Sequence, residues 1–340
     1  MLLYLRRSMK KLYFSVLILL ICVIVGVSFY NRNTNVKKTI YAFDTVIEIS
    51  VNDKNAKEIV NKSFEIIKKY EDEFSAFKPS SDVSILNESK NYKVSDDVYK
   101  IISNAISYSE KTNGYFDITI KNVMELWNIN GTNEGRVPKD SEIDEALKSV
   151  GYKNISFDGK TVVLSNNAKI DLGGIAKGYC TNKIRDLMKE NNVKEALINM
   201  GGNIYVLGDR TFDIGLQSPD GVRGEHFGVC TVKNTSVVTS GAYERYFESD
   251  GKKYHHIINP FTGKCAYSGL KSVTIIGENS EKCDAFSTAV YILGKDEGIN
   301  ILKNEPDLEY VIVTDDNNVY VSKNLKFKLT DKNYKLHKVD

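Results

Sequence analysis

An uncharged apolar run of nineteen residues, from Leu12 to Tyr30, divides this chain of 340 residues into two unequal parts. At about 1.5 Å of helix per residue the run extends roughly 28 Å, close to the thickness of a bilayer's hydrocarbon core. It is also longer than the apolar segment of most signal peptides, so we predict an uncleaved transmembrane helix over 12–30. The remainder of the chain must then fold as a separate unit.

The flank 1–11 carries four basic residues, and this charge predicts the orientation of the anchor. Basic flanks stay in the cytoplasm, so we expect a single-pass protein of the cell membrane with its folded part on the extracytoplasmic side. Cys22 raises the alternative of a bacterial lipoprotein. A lipid-modified cysteine normally follows a small residue, whereas Ile21 precedes Cys22 here, so the intact span is favoured.

Composition restricts the class of partner. The formal net charge is only +2 and the lysines are spread along the chain. A nucleic-acid partner would need clustered basic surface, so none is expected, and small molecules or proteins fit better. The spacing of the remaining cysteines matches neither a zinc site nor a dense disulfide framework, although an exported domain could oxidise one pair. They are Cys180, Cys230, Cys265 and Cys283.

Periodicity beyond the anchor predicts an α+β fold with a mostly antiparallel sheet flanked by helices. We expect a linker over 31–38, one domain over 39–330 and a polar tail over 331–340. Helical spacing predicts helices over 56–70, 98–106, 178–190, 283–293 and 296–303. Short β-rich runs predict strands over 39–51, 195–199, 203–207, 212–216, 228–233, 237–240, 271–276, 309–314 and 318–322.

The segment Asp171-Leu-Gly-Gly-Ile-Ala-Lys-Gly-Tyr179 joins glycines, a carboxylate and a lysine directly before a predicted helix. Glycines allow backbone N–H groups to approach a phosphate, the helix N-terminus adds a positive dipole, and Lys177 adds a full charge. The spacing is neither that of a Walker loop nor that of a Rossmann fold, so a plain strand-to-helix turn is the alternative.

A second segment, Asp284-Ala-Phe-Ser-Thr288, places Asp284 and Thr288 on one helix face with Ser287 beside them. A carboxylate and hydroxyls are ligands suited to Mg²⁺, which takes few protein ligands because substrate phosphates and waters complete its shell. The alternative is that Asp284 only caps the helix N-terminus.

The segment Tyr254-His-His-Ile-Ile-Asn-Pro260 holds two of the four histidines before a turn. A histidine there could accept a proton at neutral pH, and His256 is the candidate, whereas His255 is predicted to be structural. The hydroxyls of Thr239 and Ser240 could donate to a phosphate, and the rings of Phe77, Tyr115 and Phe116 could stack on a flat ligand. Trp127 is predicted to pack in the core.

In this order, the segments resemble the ApbE family of FAD:protein FMN transferases, over a span from about residue 43 to the last strands. The matching segments are Phe74-Ser-Ala-Phe77, Ser84-Ile-Leu-Asn87, Gly114-Tyr-Phe-Asp-Ile-Thr119, Leu126-Trp127, Asp171-Leu-Gly-Gly-Ile-Ala-Lys-Gly178, Asn199-Met-Gly-Gly202, Thr239-Ser-Gly241, His256-Ile-Ile-Asn-Pro260 and Asp284-Ala-Phe-Ser-Thr288. The resemblance implies an ApbE-like, T-fold-related architecture for the domain.

The resemblance also implies site residues. Mg²⁺ would be held by the carbonyl of Gly174 and the side chains of Asp284 and Thr288, with Ser287 where some members place a further ligand. FAD contacts are implied at Phe43, Phe77, Tyr115, Phe116, Asp117, Asp171, Lys177 and Ile258. Two places depart from the usual pattern, since members often have Met-Gly-Thr at 43–45 and Asp at 259, where this chain has Phe-Asp-Thr and Asn.

The implied reaction is Mg²⁺-dependent transfer of FMN from FAD to a Thr or Ser hydroxyl of an acceptor protein, forming a phosphoester and releasing AMP. His256 would be the base, and Asp284 could share that role through a bound water. Family acceptors are subunits of membrane redox complexes. Two alternatives stay open from the residues: hydrolysis of FAD to FMN and AMP, and a surface flavin-binding protein without turnover.

Overall fold

The computed structural model of the chain describes residues 18, 20, 21, 35–129, 135–222 and 224–339. The predicted membrane anchor over 12–30 therefore lies almost wholly outside the described residues, as does the basic flank 1–11. Within the part that is described, no helix has both the length and the apolar character needed to cross a bilayer.

The domain contains both strands and helices, and its described residues between 195 and 277 form strands without an intervening helix. In chain order the strands are β1 (Asn35–Ala42), β2 (Thr45–Asn52), β3 (Asn91–Lys93), β4 (Ile155–Asp158), β5 (Thr161–Leu164), β6 (Glu195–Met200), β7 (Asn203–Gly208), β8 (Phe212–Gln217), β9 (His226–Val232), β10 (Thr235–Gly241), β11 (Tyr246–Ser249), β12 (Lys252–His255), β13 (Leu270–Gly277), β14 (Glu309–Thr314), β15 (Asn318–Ser322), β16 (Phe327–Leu329) and β17 (Lys335–Val339). The helices are α1 (Ala56–Phe74), α2 (Asp82–Ser89), α3 (Asp96–Lys111), α4 (Lys121–Trp127), α5 (Asp140–Leu147), α6 (Ala176–Glu190), α7 (Ser280–Leu293) and α8 (Lys295–Leu302).

A nine-stranded sheet forms the centre of the domain, in the order β1-β2-β6-β7-β10-β13-β14-β15-β17. Its neighbours pair antiparallel except β15 and β17, which are parallel. The predicted α+β class with a mostly antiparallel sheet is thus confirmed. Smaller sheets are formed by β3-β5-β4, by β16-β9-β8 and by the β11–β12 hairpin.

The two faces of the large sheet are buried against different layers. Because side chains alternate along a strand, Ile312 of β14 packs in the core that contains the helices, whereas Val311 and Val313 pack in the core that contains β8 and β9. Helices α1, α6 and α7 cover the first face, and the β16-β9-β8 sheet covers the second. Because both faces of the central strands are buried, most of their side chains are apolar.

The predicted single strand over 39–51 is wrong in one respect, because the segment is a hairpin of β1 and β2. Ala42 pairs with Thr45, and the two turn residues between them, Phe43 and Asp44, have φ of 51° and 55°. Two-residue hairpin turns require positive φ, and the usual signal is Asn-Gly or Asp-Gly, so Phe-Asp gave no sequence signal for a turn. The hairpin also begins at Asn35, within the predicted linker.

The predicted polar tail over 331–340 is also corrected by the structure. Residues 335–339 form β17, which extends the large sheet beside β15. Tyr334 just before it is buried, with its ring 5.2 Å from that of Phe227. The two exposed lysines of β17 disguised the strand, since charged residues on an edge strand lower its mean hydropathy while the side chains between them are still partly buried.

Several single-residue predictions are settled by packing. Trp127 is buried in the core as predicted, and its indole N–H donates to the carbonyl of Gly263 at 2.7 Å. All four described cysteines are free and buried, so none of them forms a disulfide or a sulfur-ligated metal site within the described structure. Burial raises the pKa of each thiol and keeps it protonated.

Candidate active site

The glycine-containing segment at 171–178 is a tight loop that leads into α6, as the sequence predicts. Asp171 Oδ1 accepts the N–H of Gly173 at 2.8 Å, and the Asp171 N–H donates to the carbonyl of Ile118 at 2.8 Å. Helix α6 starts at Ala176, so Lys177 lies in its first turn, half-buried. The loop therefore presents a helix N-terminus and a lysine to the same space.

Helix α7 meets this loop directly. Asp284 Oδ2 accepts the N–H of Gly178 at 2.9 Å, and a Cβ added at Gly174 would lie 3.9 Å from Thr288 Oγ1. Two segments more than a hundred positions apart in sequence thus share one cleft. Asn279 is the N-cap of α7 and accepts the N–H of Lys282, so the alternative that Asp284 is only a cap is wrong.

Oxygen atoms cluster in this cleft. Ser240 Oγ from β10 lies 2.8 Å from Ser287 Oγ and 3.4 Å from Thr288 Oγ1, and Ser287 also donates to the carbonyl of Asp284 at 2.9 Å. The Asp284 side chain is buried, and burial raises its pKa to about 6 while the nearby Lys177 charge opposes that rise. Desolvation of a carboxylate is costly unless a cation compensates it.

The donor set fits Mg²⁺. The described residues contain no group of three His, Cys, Asp or Glu side chains that could hold a metal, which excludes a zinc-type cage in this part of the chain. The carboxylate of Asp284 and the hydroxyls of Ser287 and Thr288 are instead oxygen ligands of the kind that a hard cation prefers. Such a site has room for phosphate oxygens in the remaining coordination positions.

His256 follows β12 at the rim of the cleft. Its backbone N–H donates to the carbonyl of Arg245 at 3.1 Å, and its Nδ1 lies 3.2 Å from the same oxygen. Burial holds the pKa of His256 well below its usual range, and the charges of Arg245 and Lys177 add to this effect. The charge of Lys177 lowers the pKa of both His256 and Asp284, so the base candidate and the carboxylate lie near the same lysine.

The aromatic residues implied as flavin contacts have different surroundings. Phe77 is 73% exposed, and the ring of Tyr115 lies 4.8 Å from that of Phe261. Phe116 is buried, and a Cβ added at Gly174 would lie 3.3 Å from its ring, so Phe116 packs directly against the glycine loop. The exposed faces of Phe77 and Tyr115 are the ones free to stack on a flat ring.

Other implied contacts already have partners in the protein. Asp117 accepts from Thr119 with one carboxylate oxygen, at 2.8 Å from the backbone N–H and 2.6 Å from the hydroxyl, and from the Tyr152 N–H at 2.7 Å with the other. Thr239 Oγ1 lies 2.8 Å from Thr274 Oγ1. These bonds hold the local backbone, and the ligand contacts of Asp117 and Thr239 stay predictions.

Two further implied contacts lie in or beside apolar packing. Ile258 is buried in the small core cluster that contains Trp127, and Phe43 is half-buried, with its N–H donating to Glu71 at 2.9 Å. Asn259, where the family usually has Asp, accepts the N–H of Phe261 at 2.9 Å and so shapes the following turn. An amide oxygen can perform that task as well as a carboxylate.

Sequence reasoning missed Arg245 and Lys121. The guanidinium of Arg245 donates to the carbonyl of Phe43 at 3.4 Å. The side chain of Lys121 is only 3% exposed; its Nζ lies 3.7 Å from the centroid of the Phe77 ring and 4.0 Å from Asp171 Oδ2. Neither basic residue stands in a recognisable motif, because each acts on residues distant in sequence.

Comparison with known proteins identifies the family of this chain. The sequence model of the ApbE family matches residues 43–312. The chain belongs to the ApbE family. It is 34% identical over 286 residues to an FAD:protein FMN transferase of Klebsiella pneumoniae strain 342, covering 82% of this chain and 90% of that relative.

Two further members extend the likeness. An FAD:protein FMN transferase of Treponema pallidum strain Nichols is 30% identical over 333 residues, with 89% of this chain and 92% of the relative covered. The crystal structure of the ApbE protein of Thermotoga maritima superposes with a TM-score of 0.76 at 34% identity, covering 82% of this chain and 94% of that one. The family's fold is therefore that of this chain.

Proposed function

We propose that this chain is an FAD:protein FMN transferase. The observation that carries the proposal is the meeting of the Gly174 loop with Asp284 and Thr288 in one cleft, beside Lys177 and His256. Relatives of that name, aligned over most of both chains, support the same activity. The substrate is FAD, and the second substrate is a protein that carries a Ser or Thr hydroxyl.

The residues of the cleft have separate roles in the transfer reaction. The acceptor hydroxyl oxygen forms a bond to the phosphorus of the FMN half, the bond from that phosphorus to the AMP half breaks, and AMP leaves. His256 takes the hydroxyl proton, which makes the oxygen a stronger nucleophile. Lys177 and the N-terminus of α6 stabilise negative charge on the diphosphate.

Mg²⁺ would be held by Asp284, Thr288 and the Gly174 carbonyl, with Ser287 and Ser240 adjacent. When bound, it neutralises charge on the diphosphate oxygens and makes the phosphorus more electrophilic. The exposed ring of Phe77 and the half-buried ring of Tyr115 would contact the flat parts of FAD. Phe43, Asp171 and Ile258 would contribute the remaining contacts that the family pattern implies.

The predicted anchor over 12–30 belongs to the same proposal. It would hold the domain on the extracytoplasmic side of the cell membrane, where redox complexes in the same bilayer would supply acceptor subunits to be flavinylated. The basic flank at 1–11 supports this orientation. Labelling of single introduced cysteines in intact cells tests it: a residue in 39–330 should react with an impermeant reagent, and labelling only after lysis would contradict it.

Product analysis tests the activity. The full chain in detergent is mixed with FAD, Mg²⁺ and an acceptor with a Ser/Thr-Gly-Ala-Thr-like sequence, and the products are weighed. Covalent FMN on the acceptor with one AMP released per adduct is the expected result. AMP without adduct would mean hydrolysis, and unchanged FAD would mean binding without turnover.

Variants of the cleft sharpen this test. Asp284→Asn, Thr288→Val and His256→Gln should each lower the transfer rate by at least about a hundredfold, because each removes a metal ligand or the base. Asp296→Asn is the control, since that exposed carboxylate on α8 pairs only with the neighbouring Lys295. Wild-type rates in the three cleft variants would exclude this cleft as the site.

A further inference from the structure

Arg245 connects two parts of the cleft that are far apart in sequence. It lies between β10 and β11, and its guanidinium donates to the carbonyl of Phe43 at 3.4 Å and lies 3.7 Å from the carboxylate of Asp44. Both acceptors belong to the tight turn between β1 and β2, whose two residues, Phe43 and Asp44, have positive φ. The side chain of Arg245 therefore ties its own segment to this turn.

The backbone of the same residue holds His256. Its carbonyl accepts the His256 N–H and lies within hydrogen-bond distance of His256 Nδ1. A carbonyl oxygen can only accept, so the hydrogen in the second contact must be on Nδ1. In a neutral imidazole the other nitrogen, Nε2, is then unprotonated and able to take a proton.

The charges around the ring favour that neutral form. Burial disfavours the imidazolium most strongly, the guanidinium of Arg245 and the ammonium of Lys177 on α6 act in the same direction, and the neighbouring His255 adds a little. The carboxylate of Asp44 is well exposed beside Arg245, so solvent screens its opposing effect. A neutral ring with a bare Nε2 is the form that general base catalysis needs.

We infer that Arg245 is a positioning residue: anchored on the Phe43–Asp44 turn, it presents its carbonyl to Nδ1 and so holds His256 in the tautomer with a free Nε2. The inference rests on the proposed function, because the free Nε2 matters as the acceptor of the hydroxyl proton. The β1–β2 turn, already implied as a flavin contact through Phe43, would then also anchor the residue that positions His256.

Variants of Arg245 should affect turnover and leave FAD binding nearly unchanged. Arg245→Met keeps the bulk of the side chain and removes its anchor, so kcat should fall about tenfold while KM for FAD changes less than about twofold. Arg245→Lys can still reach the Phe43 carbonyl and should recover part of the loss. Asp44→Asn should change kcat less than about twofold, since the exposed ion pair is weak.

The matched control is Arg210→Met. Arg210, in the turn between β7 and β8, forms an exposed pair with Glu195 at 2.8 Å. Glu195 starts β6 beside Asn52, at the end of β2 remote from the β1–β2 turn, so the loss of this pair should leave kcat unchanged. Equal losses of kcat in Arg210→Met and Arg245→Met would contradict the inference. Urea unfolding of each variant shows whether the protein is still folded at the assay temperature.

Nitrogen NMR of the full chain labelled with ¹⁵N-histidine provides a measurement that does not depend on turnover. His256, assigned by comparison with His256→Gln, should show Nδ1 of the protonated type and Nε2 of the unprotonated type in the wild type, and mixed tautomers in Arg245→Met. The signal of His255 is an internal control and should not change.

Two results would overturn the inference: protonated Nε2 in the wild type, or identical tautomers and kcat in wild type and Arg245→Met. If the acceptor gains no FMN while the NMR pattern and its response to Arg245→Met are as expected, the proposed function fails and the positioning of His256 stands. If FMN is transferred while the tautomer does not respond to Arg245→Met, the proposed function stands and the positioning role of Arg245 is wrong.

Discussion

His255 and His256 are adjacent in the chain, yet the fold gives their rings different surroundings. His255 is only 3% exposed and packs edge-on against the rings of Tyr267 and Tyr291, at 5.3 Å and 5.8 Å between centroids. In the described structure no hydrogen bond of normal geometry reaches either of its ring nitrogens. Burial lowers the pKa of His255 to about 4, with a small opposing effect from the backbone of Ala266.

This depressed pKa predicts acid sensitivity. In the unfolded chain His255 takes up a proton near pH 6.5, so its stabilising contribution is complete above that pH and is lost as the pH falls through about 4. The loss should reach about 3 kcal/mol of unfolding free energy, and His255→Phe should remove it because Phe fills the site without titrating. Urea unfolding at pH 7 and pH 4 measures the difference.

His226→Phe is the control for this prediction, because His226 is exposed. Its unfolding free energy should vary with pH as that of the wild type does. Equal pH dependence in wild type and His255→Phe would mean that His255 is solvated or hydrogen-bonded in the native state. His256 also has a lowered pKa, but its contribution is common to both proteins and cancels in the comparison.

At the scale of elements, the approach of α6 to α7 builds the cleft. A Cβ added at Gly178 would lie 2.5 Å from the carbonyl of Ser280 and 2.6 Å from the Cα of Glu281. Only glycine fits between these helices, and its N–H also reaches Asp284. The spacing of the helices therefore sets the position of the Asp284 carboxylate.

Gly178→Ala should separate the helices. We expect a loss of about 2–3 kcal/mol in unfolding free energy from overpacking, together with weaker Mg²⁺-dependent FMN transfer. Gly215→Ala in β8 is the control, since the nearest atoms to its Cβ would be those of the exposed His226 side chain at 3.3–3.8 Å, with no backbone atom among the three nearest. Chemical denaturation and the transfer assay measure both effects, and wild-type behaviour of Gly178→Ala would contradict the close packing.

A second interhelical contact joins α1, α3 and α6 through Asp97. Its carboxylate accepts from Tyr70 at 3.0 Å, from Tyr179 at 2.8 Å, from Lys69 at 2.6 Å and from Lys183 at 2.7 Å. Burial alone would raise the pKa of Asp97, but hydrogen bonds from Lys183, Lys69 and Tyr179 outweigh burial and hold that pKa well below its usual range.

Asp97→Asn should therefore destabilise the protein by about 1–2 kcal/mol, because two partly exposed lysines and two tyrosine hydroxyls lose a half-buried charged acceptor. Asp96→Asn is a close control: this neighbour is exposed and pairs only with Lys160, so its loss should cost less than about 0.5 kcal/mol. The two variants should differ less in unfolding free energy below about pH 4. There the unfolded chain takes up a proton on Asp97, so the ionised carboxylate stabilises the native state less. Equal unfolding free energies would refute the role of Asp97.

At the scale of the whole molecule, the large sheet ends in β17, and the chain after residue 330 is part of the folded domain. Tyr334 packs beside Phe227 in the second core, and Lys338 donates to the carbonyl of Leu325 at 2.7 Å. Removal of this segment would expose the edge of β15 and part of that core.

A truncation after Thr330 should lower the unfolding free energy by about 3 kcal/mol or more, since it removes a buried tyrosine and the pairing of β17. The midpoint of urea unfolding measures this loss. Lys332→Ser, a change of one exposed residue in the same segment, should leave the midpoint unchanged. A truncated protein as stable as the full chain would show that β17 contributes only a surface contact.

Much of the fold follows from local pattern. The apolar spacing of α1, α3 and α7, the apolar run of β14 and the packing of Trp127 were all predictable, because such patterns depend only on neighbouring residues. The turn at Phe43 and Asp44 and the strand β17 were not, since their residue types are unusual for those structures. The anchor over 12–30 stays a prediction, which depends on its length and lack of charge alone.

The residue types needed for phosphate, metal and base chemistry are present in short segments of the sequence, and the family pattern identifies them. Their assembly into one cleft depended on tertiary contacts: the Gly178–Asp284 bond joins positions 106 apart, and the Arg245–Phe43 bond joins positions 202 apart. Such contacts depend on how helices and strands pack, which short-range periodicity does not encode. Local sequence therefore specifies the chemical groups, and packing decides which of them face each other.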